Sequence, residues 1–137
     1  MALVCIGILL VSCGSNHLGD PKAQFIRDFG LNIDKKDCVL EELFNSYEGF
    51  PYEGIALYKL TVGEDVRQAF LQWERFPLSE EAEHFLESLS TYVELPSIAD
   101  GCWKMVDRNP GTSAYTNVSM CVYDGTTGIA YLLTMDI

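Results

Sequence analysis

The stretch Tyr115-Thr116-Asn117-Val118-Ser119-Met120-Cys121-Val122-Tyr123-Asp124-Gly125-Thr126-Thr127-Gly128-Ile129-Ala130-Tyr131-Leu132-Leu133-Thr134-Met135 reads as a β-hairpin. In the first arm Val118, Met120 and Val122 alternate with Asn117, Ser119 and Cys121, the period-two pattern of a strand. Between the arms stand an Asp, two glycines and two threonines, which supply a turn with φ > 0 positions at no steric cost. The second arm is apolar on both faces, as a central strand covered on both sides would be.

Working outward, Gly101 to Val106 forms the preceding strand, and Asp107-Arg108-Asn109-Pro110-Gly111 turns the chain into the hairpin. Further upstream Ser79 caps a helix with Glu80 and Glu81 in its first turn and Ala82, Phe85, Leu86 and Leu89 as its apolar stripe. Gly63-Glu64-Asp65 opens another, with Val66, Ala69, Phe70 and Trp73 at i, i+3, i+4, i+7, closed by Phe76-Pro77. Ile55 to Val62 is a strand. Cys38 to Glu48 fits a helix by period, but the Gly49-Phe50-Pro51-Tyr52-Glu53-Gly54 loop before a clear strand favours a hairpin, and we read it as a strand. A short helix is expected at 21–29, with Asp20 at the N-cap, Pro21 at N1 and Gly30 past the end. This order predicts an α+β fold: an antiparallel sheet of about five strands, helices packed on one face, and the C-terminal hairpin central.

A chain of 137 residues suits one domain, and its 48% apolar content is ordinary for a globular protein. The net charge of −11 argues against nucleic acid or an anionic membrane surface as partner. It reads either as a solvated acidic surface or as a face meant for a basic partner.

Met1 to Ser12 is uncharged and includes Leu3-Val4-Cys5-Ile6-Gly7-Ile8-Leu9-Leu10-Val11, the length of a signal-peptide apolar region and too short to span a bilayer. Leu10-Val11-Ser12-Cys13 looks like a bacterial lipobox, with Cys13 as the lipidated first mature residue. The run lacks the Lys or Arg that normally precedes such a region, so plain secretion or a buried N-terminal element stands as the alternative. We expect a lipoprotein-type signal peptide at 1–12, a tether and short helix at 13–36, and a single α+β domain at 37–137. The lipid would attach the protein to the cell membrane or envelope.

Chemistry-bearing motifs are scarce. There is no phosphate-cradling glycine loop, no dinucleotide fingerprint and no Gly-x-Ser-x-Gly elbow, and no cofactor or metal is expected. His17 falls in the tether and His84 on the polar side of a helix. Cys38, Cys102 and Cys121 lack the paired spacing of a zinc site, and Cys102 and Cys121 are expected not to need a bridge. Glu80, Glu81, Glu83 and Glu87 read as a solvated face, and Trp73 and Trp103 as core.

Gly49-Phe50, Glu53-Gly54, Trp73, Pro77-Leu78-Ser79, Asp100-Gly101, Asp107-Arg108 and Val122-Tyr123-Asp124 occur in an order and spacing that resembles a family of small uncharacterised bacterial proteins, largely from Firmicutes. Many of these are predicted lipoproteins. The likeness covers about Ser46 to the C-terminus. Pro51-Tyr52 stands where that family has His-Gly, so no role of that histidine carries over. The resemblance implies class and location and brings no activity.

Two functions fit. One is a membrane-anchored, non-enzymatic binding or interaction module that engages a protein partner. The other is a small envelope hydrolase or ligand-binding enzyme that uses carboxylates such as Glu53 and Asp107. Phe50, Tyr52, Glu53, Asp107 and Arg108 form the candidate binding surface: aromatics on a glycine-bounded loop, beside a strand end with one of the few cations. Phe50 in the core and Asp107 capping its turn is the competing reading.

Overall fold

The computed structural model describes residues 20–34, 37–48, 53–111 and 114–137. Its centre is one antiparallel sheet of six strands: β1 (Val39–Asn45), β2 (Gly54–Thr61), β3 (Glu74–Arg75), β4 (Gly101–Asp107), β5 (Asn117–Asp124) and β6 (Ile129–Asp136). They lie in the order β1-β2-β6-β5-β4-β3. The protein is therefore α+β, with the C-terminal hairpin in the middle of the sheet. The hairpin closes with Asp124 opposite Ile129. Asp124 Oδ1 accepts from the Thr126 N–H at 2.9 Å, and its carbonyl accepts from the Gly128 N–H at 2.9 Å. Gly128 takes the left-handed backbone (φ 72°), so the turn draws on one of its two glycines.

Each apolar strand buries both of its faces. On one face Ala56, Tyr58, Leu60, Cys121, Tyr123 and Leu132 pack with residues of the N-terminal helix and of α2. On the other, Leu57, Trp103, Met120, Val122, Leu133 and Met135 pack under α3. Helices thus cover both faces, where the sequence reading placed them on one. The physical reason is β5 and β6. Both carry apolar residues on both sides, and either side left open would expose a contiguous apolar patch.

The helices begin and end as their capping residues dictate. The first, α1 (Pro21–Gln24), runs directly into a π-helical turn (Phe25–Phe29). The Asp20 side chain accepts from the Lys22 N–H at 3.0 Å, and Gly30 ends the segment in the left-handed conformation (φ 66°). Phe25 and Phe29 are buried, so this helix packs into the same core as the sheet. α2 (Glu64–Phe70) buries Val66 and Phe70. It stops before Trp73, leaving room for the two-residue strand β3, which sequence periodicity gave no sign of. In α3 (Glu80–Leu89) Ser79 Oγ accepts from the Ala82 N–H at 3.1 Å, and Ala82, Phe85 and Leu89 are buried.

β1 is a strand, and it explains its own helix-like spacing. Its pairing with β2 shifts register between Glu42 and Phe44, leaving Leu43 without a partner. The extra residue flips the phase, so Leu40 packs on one face of the sheet and Phe44 on the other. Apolar residues at 39, 40, 43 and 44 are therefore a bulged edge strand.

Cys102 lies opposite Tyr123, and Cys121 opposite Lys104. The two thiols share a face but stand two registers apart, about 7 Å along the strands, too far for a bridge without backbone movement. Both are free and buried, and burial pushes the thiols of Cys102 and Cys121 above the ordinary cysteine range.

Candidate functional site

Four chain segments converge at one end of the sheet. Gly54, the first residue of β2, lies opposite Asp136 at the end of β6. Asp136 lies opposite Asn117 at the start of β5, and the Asn117 carbonyl accepts from the Arg108 N–H at 2.7 Å. Three of the predicted site residues, Glu53, Asp107 and Arg108, are thus brought to the same end. Glu53 is exposed and bridges to Glu48 across the loop base. Asp107 ends β4, and its Oδ1 accepts from the Asn109 N–H at 2.9 Å, as a turn-capping Asp does. Phe50 and Tyr52 lie outside the described residues, as does Cys13.

The Arg108 side chain turns inward. One guanidinium nitrogen donates to Asp28 Oδ2 at 2.9 Å and to Ser119 Oγ. The other donates to Asp136 Oδ1 and, at 3.3 Å, to the Met135 carbonyl. Ser119 Oγ donates in turn to Asp28 Oδ2 at 2.6 Å. The amide nitrogen of Gln24 lies beside both Asp28 Oδ2 and Ser119 Oγ. Arg27 donates through Nε to Asp28 Oδ1 at 2.9 Å and through its guanidinium to Gln24 Oε1 at 2.8 Å. Tyr47, just after β1, donates to Asp136 Oδ2 at 2.7 Å. The side chain of Asp28 is only 3% exposed and that of Arg108 19%.

The charges balance locally. Asp28 and Asp136 share Arg108, and Arg27 adds a second cation from the rim. Burial pushes the Asp28 carboxyl up. The hydrogen bonds from Arg27 and Ser119 and the charge of Arg108 outweigh it and hold Asp28 below the usual carboxylate range. For Tyr47, burial and the neighbouring Asp136 push the phenol well above its ordinary value, so it stays a donor. This set joins the N-terminal helix to β5, β6 and the residue after β4. Its arrangement locks elements together: each acid is already held by a cation.

Because Asp28 titrates lower folded than unfolded, its share of stability is present in full above about pH 5 and is lost as pH falls through the unfolded and then the depressed folded value. Urea midpoints should therefore hold between neutrality and about pH 5 and fall below it. In Asp28→Asn the midpoint at pH 7 should be lower and the acid decline shallower. An equally steep decline in Asp28→Asn would assign the acid limb to other carboxylates.

Sequence reasoning did not find Gln24, Asp28, Ser119, Asp136 or Tyr47. Ser119 reads as the polar side of a half-buried strand, yet it is fully buried. The signal available was its neighbours Cys121 and Tyr123, which give the same face an apolar character that a solvated side would lack.

The chain matches no protein-family model, no curated protein and no solved structure in the comparisons made. Among the described residues no three His, Cys, Asp or Glu side chains come together in a way that could hold a metal ion. Among the same residues no helix is long and apolar enough to cross a membrane.

Proposed function

We propose that this protein is a lipid-anchored binding module of a bacterial cell envelope, similar in class to the small uncharacterised bacterial proteins, many of them predicted lipoproteins, that its sequence resembles. The observation that carries the reading is Leu10-Val11-Ser12-Cys13 at the end of an uncharged apolar run. A small residue before the cut and a thiol able to take a diacylglyceryl group as a thioether are what that modification requires. Fully extended, residues 14–19 would span at most about 20 Å, so the folded body would be held close to the membrane. The acidic surface would not bind anionic lipid, which leaves attachment to the acyl chains and recognition to the body.

The placement of the acids supports binding over hydrolysis. A carboxylate hydrolase needs two acids facing one substrate space with their protonation states set apart. Asp28 and Asp136 are both held by Arg108, and Asp107 caps its own turn.

Mass spectrometry of the membrane-extracted protein tests the anchor. The expected product has Cys13 as its N-terminus, carrying diacylglycerol, and Cys13→Ser should leave the protein unacylated. Recovery of a soluble, unmodified protein that retains Met1 would overturn the reading.

A further inference from the structure

We infer that the outer edge of β4, from Lys104 to Asp107, takes an extended basic peptide segment of a partner protein as an added strand. The inference rests on the binding-module reading, and it does not depend on the lipid.

The edge is open because β3 is short. β3 pairs only with Cys102 and Trp103, while β4 continues to Asp107. Among the described residues no strand lies outside Lys104 to Asp107. Burial changes at the same point: Gly101 to Trp103 are buried, Lys104 to Asp107 only half-buried.

Hydrogen-bond phase says which groups are offered. The Phe76 N–H donates to the Gly101 carbonyl at 3.1 Å on the β3 side, and the Arg108 N–H donates to Asn117 on the β5 side. Backbone groups of an antiparallel strand point to its two neighbours on alternate residues. Even-numbered residues of β4 therefore serve β5, and Met105 and Asp107 direct their N–H and C=O groups outward. An incoming strand would continue the line that β3 begins.

The groove beside this edge, about 620 Å³, is lined among others by Trp73, Glu74, Glu81, Trp103, Lys104 and Met105. Trp103, which lines the groove, has a buried indole N–H with no acceptor among the described residues. Charge selects the partner. Glu74 and Glu81 line the groove, and Asp107 ends the same edge; the Tyr115 hydroxyl donates to the Glu81 carbonyl at 3.1 Å. On the face of β4 opposite Asp107, Lys104 lies over the Trp73 ring, 5.9 Å from its centroid. A strand with cations toward Glu81 and Asp107 and apolar residues toward Trp73 fits both faces. The net charge of −11 favours approach of such a segment. The other sheet edge, β1, is less suited because the bulge at Leu43 interrupts its line.

The test uses the full chain, isotope-labelled in detergent, and a capped hexapeptide of alternating lysine and valine. Controls are the same peptide with its lysine amides N-methylated, since the residues opposite Met105 and Asp107 in an antiparallel strand share their face and carry the ladder hydrogen bonds, and a version with glutamate for lysine. The lysine peptide should slow amide exchange at Met105 and Asp107 about tenfold near saturation, with no comparable protection along β1. The N-methylated and glutamate peptides should fail to do so. Glu81→Lys, an exposed change, should weaken binding about two- to fivefold. Binding without protection at Met105 and Asp107, equal binding of the N-methylated peptide, or no binding at millimolar peptide would each overturn the inference. None of these results bears on acylation of Cys13, so the two proposals stand or fall separately.

Discussion

Replacing Arg108 with alanine is expected to lower the unfolding free energy by about 3 kcal/mol, the range for removing one partner of a buried ion pair. Arg108 is the cation common to Asp28 and Asp136, and it also donates to Ser119 and to the Met135 carbonyl. Truncation leaves the Asp28 side chain, 3% exposed, with only the rim cation Arg27. It also leaves Asp136 with the Tyr47 hydroxyl as its neutral donor. The cost is that of two carboxylates that lose their shared cation, felt most at Asp136, since Asp28 keeps the hydrogen bonds of Gln24 and Ser119, and it exceeds the worth of any one contact. Arg108→Lys should recover only part of the loss, since a point charge cannot span both acids as a planar fork does. Asp28→Asn combined with Arg108→Ala should cost less than the sum of the two, because they belong to one network. Urea unfolding at unchanged slope is the measurement. A midpoint within error of the parent would mean that the guanidinium is solvated and free to meet a partner, as the sequence alone allowed.

That outcome would reverse the part of the site least legible in sequence. Asp107-Arg108 beside a Pro-Gly turn reads as a strand end, and Asp107, half-buried, does end β4. Arg108 is one residue further on, where its side chain can reach across the sheet end. Its partners come from residues 28, 119 and 136, and only the folded sheet brings them together. Local pattern carries no information about such pairs. What could be read was the unusual face: Ser119 is polar between apolar neighbours, and Thr134 is similarly placed on a strand otherwise apolar on both sides.

The fold was more legible because its strongest signals are local. Asp20-Pro21 and Gly30 bound the first helix, Ser79 caps α3, and the turn from Asp124 to Gly128 joins the central hairpin. These rest on capping and φ > 0 chemistry that tertiary contacts rarely override. β3 went unread because a two-residue strand has no period. It exists because β4 offers a free edge as the chain leaves α2. The placement of helices on one face also overlooked a consequence of the hairpin. A return strand apolar on both sides requires cover on both sides, whichever helices supply it.

Two-sided cover makes the largest stability prediction. Phe25, at 0% exposure, anchors the N-terminal helix to one face; Phe85, also at 0%, anchors α3 to the other and meets Tyr115 edge-on at 5.4 Å. Phe25→Ala and Phe85→Ala should each cost about 3–5 kcal/mol, the transfer of a buried ring plus the cavity left behind. Either could consume much of the stability of a domain this size, so coupling is better measured with leucine, at about 1–2 kcal/mol per site. The sheet separates the two rings by two packing layers, roughly 10 Å for each face, and they share no neighbours across it. Phe25→Leu with Phe85→Leu should then equal the sum of the singles within about 0.5 kcal/mol. Helices gathered on one face would instead put both rings into one cluster, and the double variant would depart from additivity by 1 kcal/mol or so, in the range for residues in contact. Urea unfolding of the two singles and the double decides between these arrangements.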